Sequence, residues 1–144
     1  NVEGNLTGTV TGTATGLAGS PNVTVGTIGC GNITGTGTVS DSKGNLRSIP
    51  QNTQGSTYTL VAADAGKHIL ASGTITVPDG VFSAGDAVTI VNNTASDLTI
   101  TKTITTMYLG TDATSANRTL ATRGVATILF ASGTVSYITG AGLS

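Results

Sequence analysis

The side chains able to do covalent or proton-transfer chemistry are few and scattered. His68 is the single histidine of the chain and Cys30 its single cysteine. A nucleophile triad or a zinc site built around one histidine needs cysteine or carboxylate partners at matching spacing, and none is so placed. His68 therefore reads as an ordinary strand residue near a surface or an interface; three copies of it on a three-fold axis are the alternative metal-binding arrangement. Cys30 has no partner for an intrachain disulfide, which leaves a small buried hydrophobe or an interchain bond. Asp64, Asp79, Asp86, Asp97 and Asp112 mostly stand beside Gly, Pro, Ala or Ser, where a short carboxylate builds turns. Carboxylate-pair glycoside cleavage needs two acids held at a set separation, and no such pair is legible. Asp41-Ser42-Lys43-Gly44-Asn45 resembles half a calcium loop without the full ligand series and reads as a polar turn. The expectation is no catalytic residue, no metal and no cofactor.

Binding is the remaining chemistry. Aromatic residues are 3% of the chain and tryptophan is absent, so the few tyrosines stand out. Tyr108, Asp112, Asn117 and Tyr137 form a candidate contact set, because aromatics are scarce here and sugar-binding surfaces often use them. The alternative is that Tyr108 and Tyr137 cap the core.

Composition bounds the partners. Six basic residues against seven acidic ones give a net charge of −1, with no basic patch to hold a phosphate backbone, so nucleic acid is not an expected partner. No apolar run approaches the roughly 18 residues of a membrane helix, and no membrane insertion is expected. Charged residues are 9% of the chain, against about 25% in an average domain. The 29 threonines and 21 glycines among the 144 residues, with many Val and Ile, suit strands and turns rather than disorder. Uncharged β-surfaces of this kind are common in extracellular and virion fibres. The chain opens on Asn1 rather than Met, as a fragment or processed chain would, and shows no signal peptide there. The sequon-like sites at Asn5, Asn22, Asn32, Asn93 and Asn117 arise easily in so threonine-rich a chain.

The elements that position these residues fall into two halves. In Leu6–Gly16, LTGTVTGTATG, Thr fills every odd position from Thr7 to Thr15 while Gly8, Val10, Gly12, Ala14 and Gly16 fill the even ones. A period of two is strand patterning. A strand face of glycines suits close approach of another backbone, and such a ribbon buries too little alone to offset its ordering entropy. The pattern returns in Asn32–Ser40 with Ile33, Gly35, Gly37 and Val39 on the small face. Residues 1–47 are thus expected to form a Gly/Thr-rich stalk whose small faces (Gly8, Val10, Gly12, Ala14, Gly16, Ile33, Gly35, Gly37, Val39) meet on an axis shared by several copies. Such pairing would also remove free strand edges.

Residues 48–56 read as a connector around Pro50, and residues 57–144 as a small β-sandwich or barrel-like domain. Its expected strands are Tyr58–Ala62, Lys67–Leu70, Thr74–Val77, Ala87–Asn92, Leu98–Lys102, Arg118–Ala121, Val125–Ala131 and Val135–Ile138, separated by turn signals. Ala62–Gly66 has a second reading as one helical turn ending at Gly66. Val88 and Ile90, and Leu98 and Ile100, alternate with threonine and should face a core, with Leu129 and Phe130 as anchors.

The segments Leu46–Asn52, Tyr58–Ile69, Val77-Pro78, Phe82–Asp86, Ile90–Asn93 and Ile138–Leu143, together with the stalk repeats, resemble bacteriophage tail-fibre and related virion-fibre proteins, including those of phages of marine cyanobacteria. The resemblance implies a homotrimeric virion component that contacts other virion proteins, with the C-terminal domain placed to touch a host glycan or surface protein. Capsid decoration or a head fibre is the alternative role, and a polysaccharide depolymerase a more distant one.

Overall fold

The computed structural model describes residues 37, 39–41, 44–46 and 48–144, all within one compact unit, Gly35–Ser144. The expectations for Gly8, Val10, Gly12, Ala14, Gly16, Ile33, Gly35 and Cys30 lie outside the described residues. Gly37 and Val39 are described, and both are exposed. The described chain is all-β apart from one short 3-10 turn.

A two-stranded hairpin, β1 (Ser40–Asp41) and β2 (Gly44–Asn45), comes first. The Asp41 carboxylate accepts the Gly44 amide at 3.1 Å, as a polar turn requires. The chain then coils. β3 (Gln51–Gln54), β5 (His68–Ala71) and β7 (Ala87–Asn92) pair in parallel, and so do β4 (Tyr58–Thr59), β6 (Ile75–Val77) and β8 (Leu98–Lys102). Successive strands therefore alternate between two parallel ladders. One circuit takes 17 residues from Gln51 to its partner His68 and 21 from His68 to Thr89.

The long strand β11 (Arg118–Phe130) joins the ladders, pairing antiparallel to β8 through Arg118–Leu120 and to β7 through Val125–Leu129. Between these parts its register slips, and Arg123 takes a positive φ of 59°, the signature of a bulge that lets one strand serve two ladders. β12 (Val135–Leu143) covers the other edge of β11, followed by β9 (Thr106–Leu109) and the edge strand β10 (Asp112–Ser115).

The core lies between the ladders. Period-two alternation sends Ile69, Ala71, Val88, Ile90, Ala126, Ile128, Phe130 and Ile138 inward from one ladder and Ile75, Val77, Leu98 and Ile100 from the other, into one apolar cluster. Asn52, Ile69, Ile90 and Ala126 stand in register as one inward row across four strands, and the exposed Gly140 pairs with Ala126 at its end. Each buried Ile in such a row contributes about 1.5–3 kcal/mol. Phe82 stacks on Phe130 with ring centroids 4.1 Å apart.

Several sequence expectations change here. Leu129 is no core anchor: it is 50% exposed, because Ile128 and Phe130 take the inward positions on either side. Gln51–Gln54, expected within a connector, is an edge strand with polar residues on both faces. Tyr58–Ala62 shortens to Tyr58–Thr59, and the helical-turn reading holds as a 3-10 turn over Ala62–Asp64. The two segments expected around Ala121–Val125 are one bulged strand, and β9 and β10 have no counterpart among the expected strands.

Candidate functional site

The parallel pairing of β9 with β12 sets Tyr108 directly beside Tyr137. Both side chains point outward, since Met107 and Ile138 occupy the inward positions and are fully buried. Their ring centroids are 5.5 Å apart with the planes tilted by 42°. The tyrosines do not cap the core: Tyr137 is 46% exposed, and the pair forms one wall of an open surface cleft.

β10 folds back on β9 and adds Asp112 to the same cleft. Its volume is about 440 Å³, with Leu109, Gly110 and Ala113 completing the lining. Asp112 is held in place. Its Oδ1 accepts the Thr114 amide at 2.9 Å, and its Oδ2 lies 3.6 Å from Nη1 of Arg118. The Thr114 hydrogen bonds, backbone first, and then the Arg118 charge hold the Asp112 carboxyl below its ordinary range. The group is an anion at neutral pH and presents acceptors only.

Arg118 is the residue that sequence reasoning missed. It is buried to 7% exposure and occupies a β11 position that pairs with the core residue Ile100. Its guanidinium reaches the edge strand, where Nη2 donates to the Thr114 carbonyl, and its Nε has no partner. An arginine within a strand alternating with Leu120 was the available signal, since a buried cation needs a nearby anion.

Three of the four candidate contact residues, Tyr108, Asp112 and Tyr137, thus come together. Asn117 does not join them. It is exposed, and its side-chain oxygen accepts the Lys102 amide at 2.8 Å, which closes the end of β8.

Three further carboxylates serve turns and strand ends. Asp79 accepts from the Thr105 amide, Asp86 from Ser83 and Asp97 from Thr122. His68 faces outward from β5 with Nε2 3.0 Å from the Gln51 side-chain oxygen. Among the described residues no three His, Cys, Asp or Glu side chains group as metal ligands, and no helix is long and apolar enough to cross a membrane.

The cleft can hold a ligand by ring contact on the tyrosines and by hydrogen bonds to their hydroxyls and the Asp112 carboxylate. No protein-family model and no curated protein matches this chain.

Proposed function

We propose that this chain is a non-enzymatic structural and adhesive protein of a virion fibre. In this reading residues 1–47 form a trimeric Gly/Thr stalk, the β-domain follows it, and the cleft of Tyr108, Asp112 and Tyr137 contacts a host-surface glycan or protein. The observation that carries the reading is the outward tyrosine pair. In a chain with three tyrosines and two phenylalanines, two tyrosines stand together on the surface beside a fixed carboxylate. Apolar ring faces with polar rims suit a sugar, which also has both. Among the described residues Asp79, Asp86, Asp97 and Asp112 each accept a backbone amide that ties the carboxylate to a turn or strand end, which favours adhesion over hydrolysis. The location that follows is the virion surface, outside the host cell.

The test is binding of the full chain to isolated host envelope, read by sedimentation, for the wild type and Tyr137→Ala. Tyr137 is half exposed, so the variant should keep the wild-type melting temperature and lose most of the binding. Retained binding would remove the cleft from the contact surface. Light scattering of the same chain should give a trimer mass, and a monomer would remove the stalk reading.

A further inference from the structure

A second cleft, lined by none of the residues of the first, lies between the turn joining β5 to β6 and the turn joining β7 to β8. We infer that it is a binding site for a neutral sugar. This inference rests on the adhesive reading for its ligand class and on separate residues for its site.

The cleft arises from unequal turns in stacked circuits. β5 and β6 are joined through residues 72–74, and β7 and β8 through residues 93–97. The longer turn overhangs the shorter one and leaves a space of about 370 Å³. The short turns below it stack without room to spare: a Cβ on Gly73 would lie 2.6 Å from the Ser56 carbonyl carbon, so backbone makes direct contact there.

The overhanging turn is rigid, and the fold commits unusual groups to making it so. Asn92 is 1% exposed. Its amide nitrogen donates to the carbonyls of Ser96, Leu120 and Ala121 at 2.9, 3.1 and 2.9 Å. Its oxygen accepts the Thr94 amide and hydroxyl at 3.0 and 2.8 Å. From outside, the β11 bulge clamps the same turn. Thr122 donates its amide to Asp97 at 3.2 Å and its hydroxyl to the Thr94 carbonyl at 2.9 Å, and Arg123 donates to Asn93 at 3.0 Å. Arg123 alone among the described non-glycine residues has a positive φ. Such a conformation persists where its surroundings over-determine it, and it clusters at ligand sites. Buried amide, bulge and left-handed arginine converge on one turn of five residues.

What the turn presents is hydroxyl chemistry. Ser72, Thr74, Ser96 and Thr99 line the cleft with Asp97, and among the described residues none of those four hydroxyls has a hydrogen-bond partner. Each both donates and accepts, as the hydroxyls of a sugar do. The Asp97 carboxylate adds acceptors suited to a pair of sugar hydroxyls. Among the described residues no cationic side chain lines the space, so sulfated, phosphorylated and sialylated sugars are disfavoured beside Asp97. Thr74 and Thr99 also begin the outward threonines of β6 and β8, which continue in Thr59, Thr76 and Thr101 standing side by side across three strands. A longer saccharide leaving the cleft meets this row. With no aromatic platform, affinity for one site is low, and three copies in a fibre would raise it by avidity.

The experiment is calorimetric titration of the full chain with neutral hexose oligosaccharides (maltohexaose, cellohexaose, mannohexaose), alongside sialylated and sulfated oligosaccharides as controls. The variants are compared in the Tyr137→Ala background, which takes the tyrosine cleft out of the signal: Asp97→Asn, which keeps an acceptor for the Thr122 amide, and Thr74→Val with Thr99→Val. The expected result is that a neutral oligosaccharide still binds the Tyr137→Ala chain, that Asp97→Asn weakens this binding about tenfold, and that the double valine variant weakens it as well. Binding of the anionic sugars alone, binding of none, or undiminished affinity in Asp97→Asn or the valine variant overturns the inference. Binding by the wild type that is wholly lost in Tyr137→Ala overturns it while leaving the tyrosine-cleft reading intact.

Discussion

The Tyr58 hydroxyl donates to Oδ2 of Asp64 at 2.9 Å, and Asn52 donates its amide to Oδ1 at 2.8 Å. A third donor, the Val61 amide, reaches Oδ2 at 2.9 Å. The carboxylate is 1% exposed yet fully served, and it sits where the coil begins. Asn52 occupies the inward step that Ile69 and Ile90 occupy in the next two strands. The apolar row thus ends in a polar cluster at the edge strand β3.

Asp64→Ala removes one acceptor from three donors and should lower stability by about 2–4 kcal/mol, because each buried donor left unmade costs 1–3 kcal/mol. Thermal unfolding of the variant checks this. Asn52→Ala, which removes one donor from the same cluster, should cost about half as much.

Tyr58 gives the cluster a pH limit. Burial first, then the hydrogen bond and charge of Asp64, push its phenol above its ordinary value of 10.0. The protonated phenol is the form the folded state favours. Its contribution is therefore fully present below pH 10 and is lost as pH rises through the elevated folded-state value. Chemical denaturation from pH 8 to 11.5 should show stability falling at the alkaline end, and Tyr58→Phe should flatten that fall.

Gly140 pairs with Ala126 at the end of this register, and a Cβ there would lie 2.2 Å from the Val125 carbonyl oxygen and 2.5 Å from the Ala126 Cα. Backbone cannot yield as a flexible side chain can. Gly140→Ala should cost about 1–3 kcal/mol, measured by denaturant midpoint. Gly55→Ala, where the added carbon meets nothing within 4 Å, should be close to neutral.

Leu129 and Ile128 are neighbours of equal hydrophobicity on opposite faces of β11. Ile128→Ala should cost about 2–5 kcal/mol, whereas Leu129→Lys should cost less than about 1 kcal/mol. A large loss in the lysine variant would mean that the outer face of this sheet is covered in solution, and an oligomer mass would then locate the cover.

Much of the β-architecture is legible because alternation is a local property. Val88, Ile90, Leu98 and Ile100 declare their inward face from sequence, and the acids beside Gly, Pro and Ser declare their turns. Gln51–Gln54 declares nothing, because its inward residues satisfy a polar cluster instead of an apolar core. β9 and β10 are equally silent, since each is only four residues long and gives a period of two too few steps to show. Tyr108, Asp112 and Tyr137 could be singled out for their chemistry. Their meeting depends on a parallel pairing between strands 26 or more residues apart in the chain.

Residue types and a period of two determined by themselves that residues 57–144 form strands, where many of those strands turn and which residues of β7 and β8 are buried, because each depends on neighbours within a few positions. The tertiary structure alone decided that successive strands alternate between two parallel ladders and that β11 bends to join them. It also decided that a buried asparagine and a left-handed arginine hold one turn over a cleft. Those outcomes depend on register between distant strands, and register is set by the packing of a whole face at once.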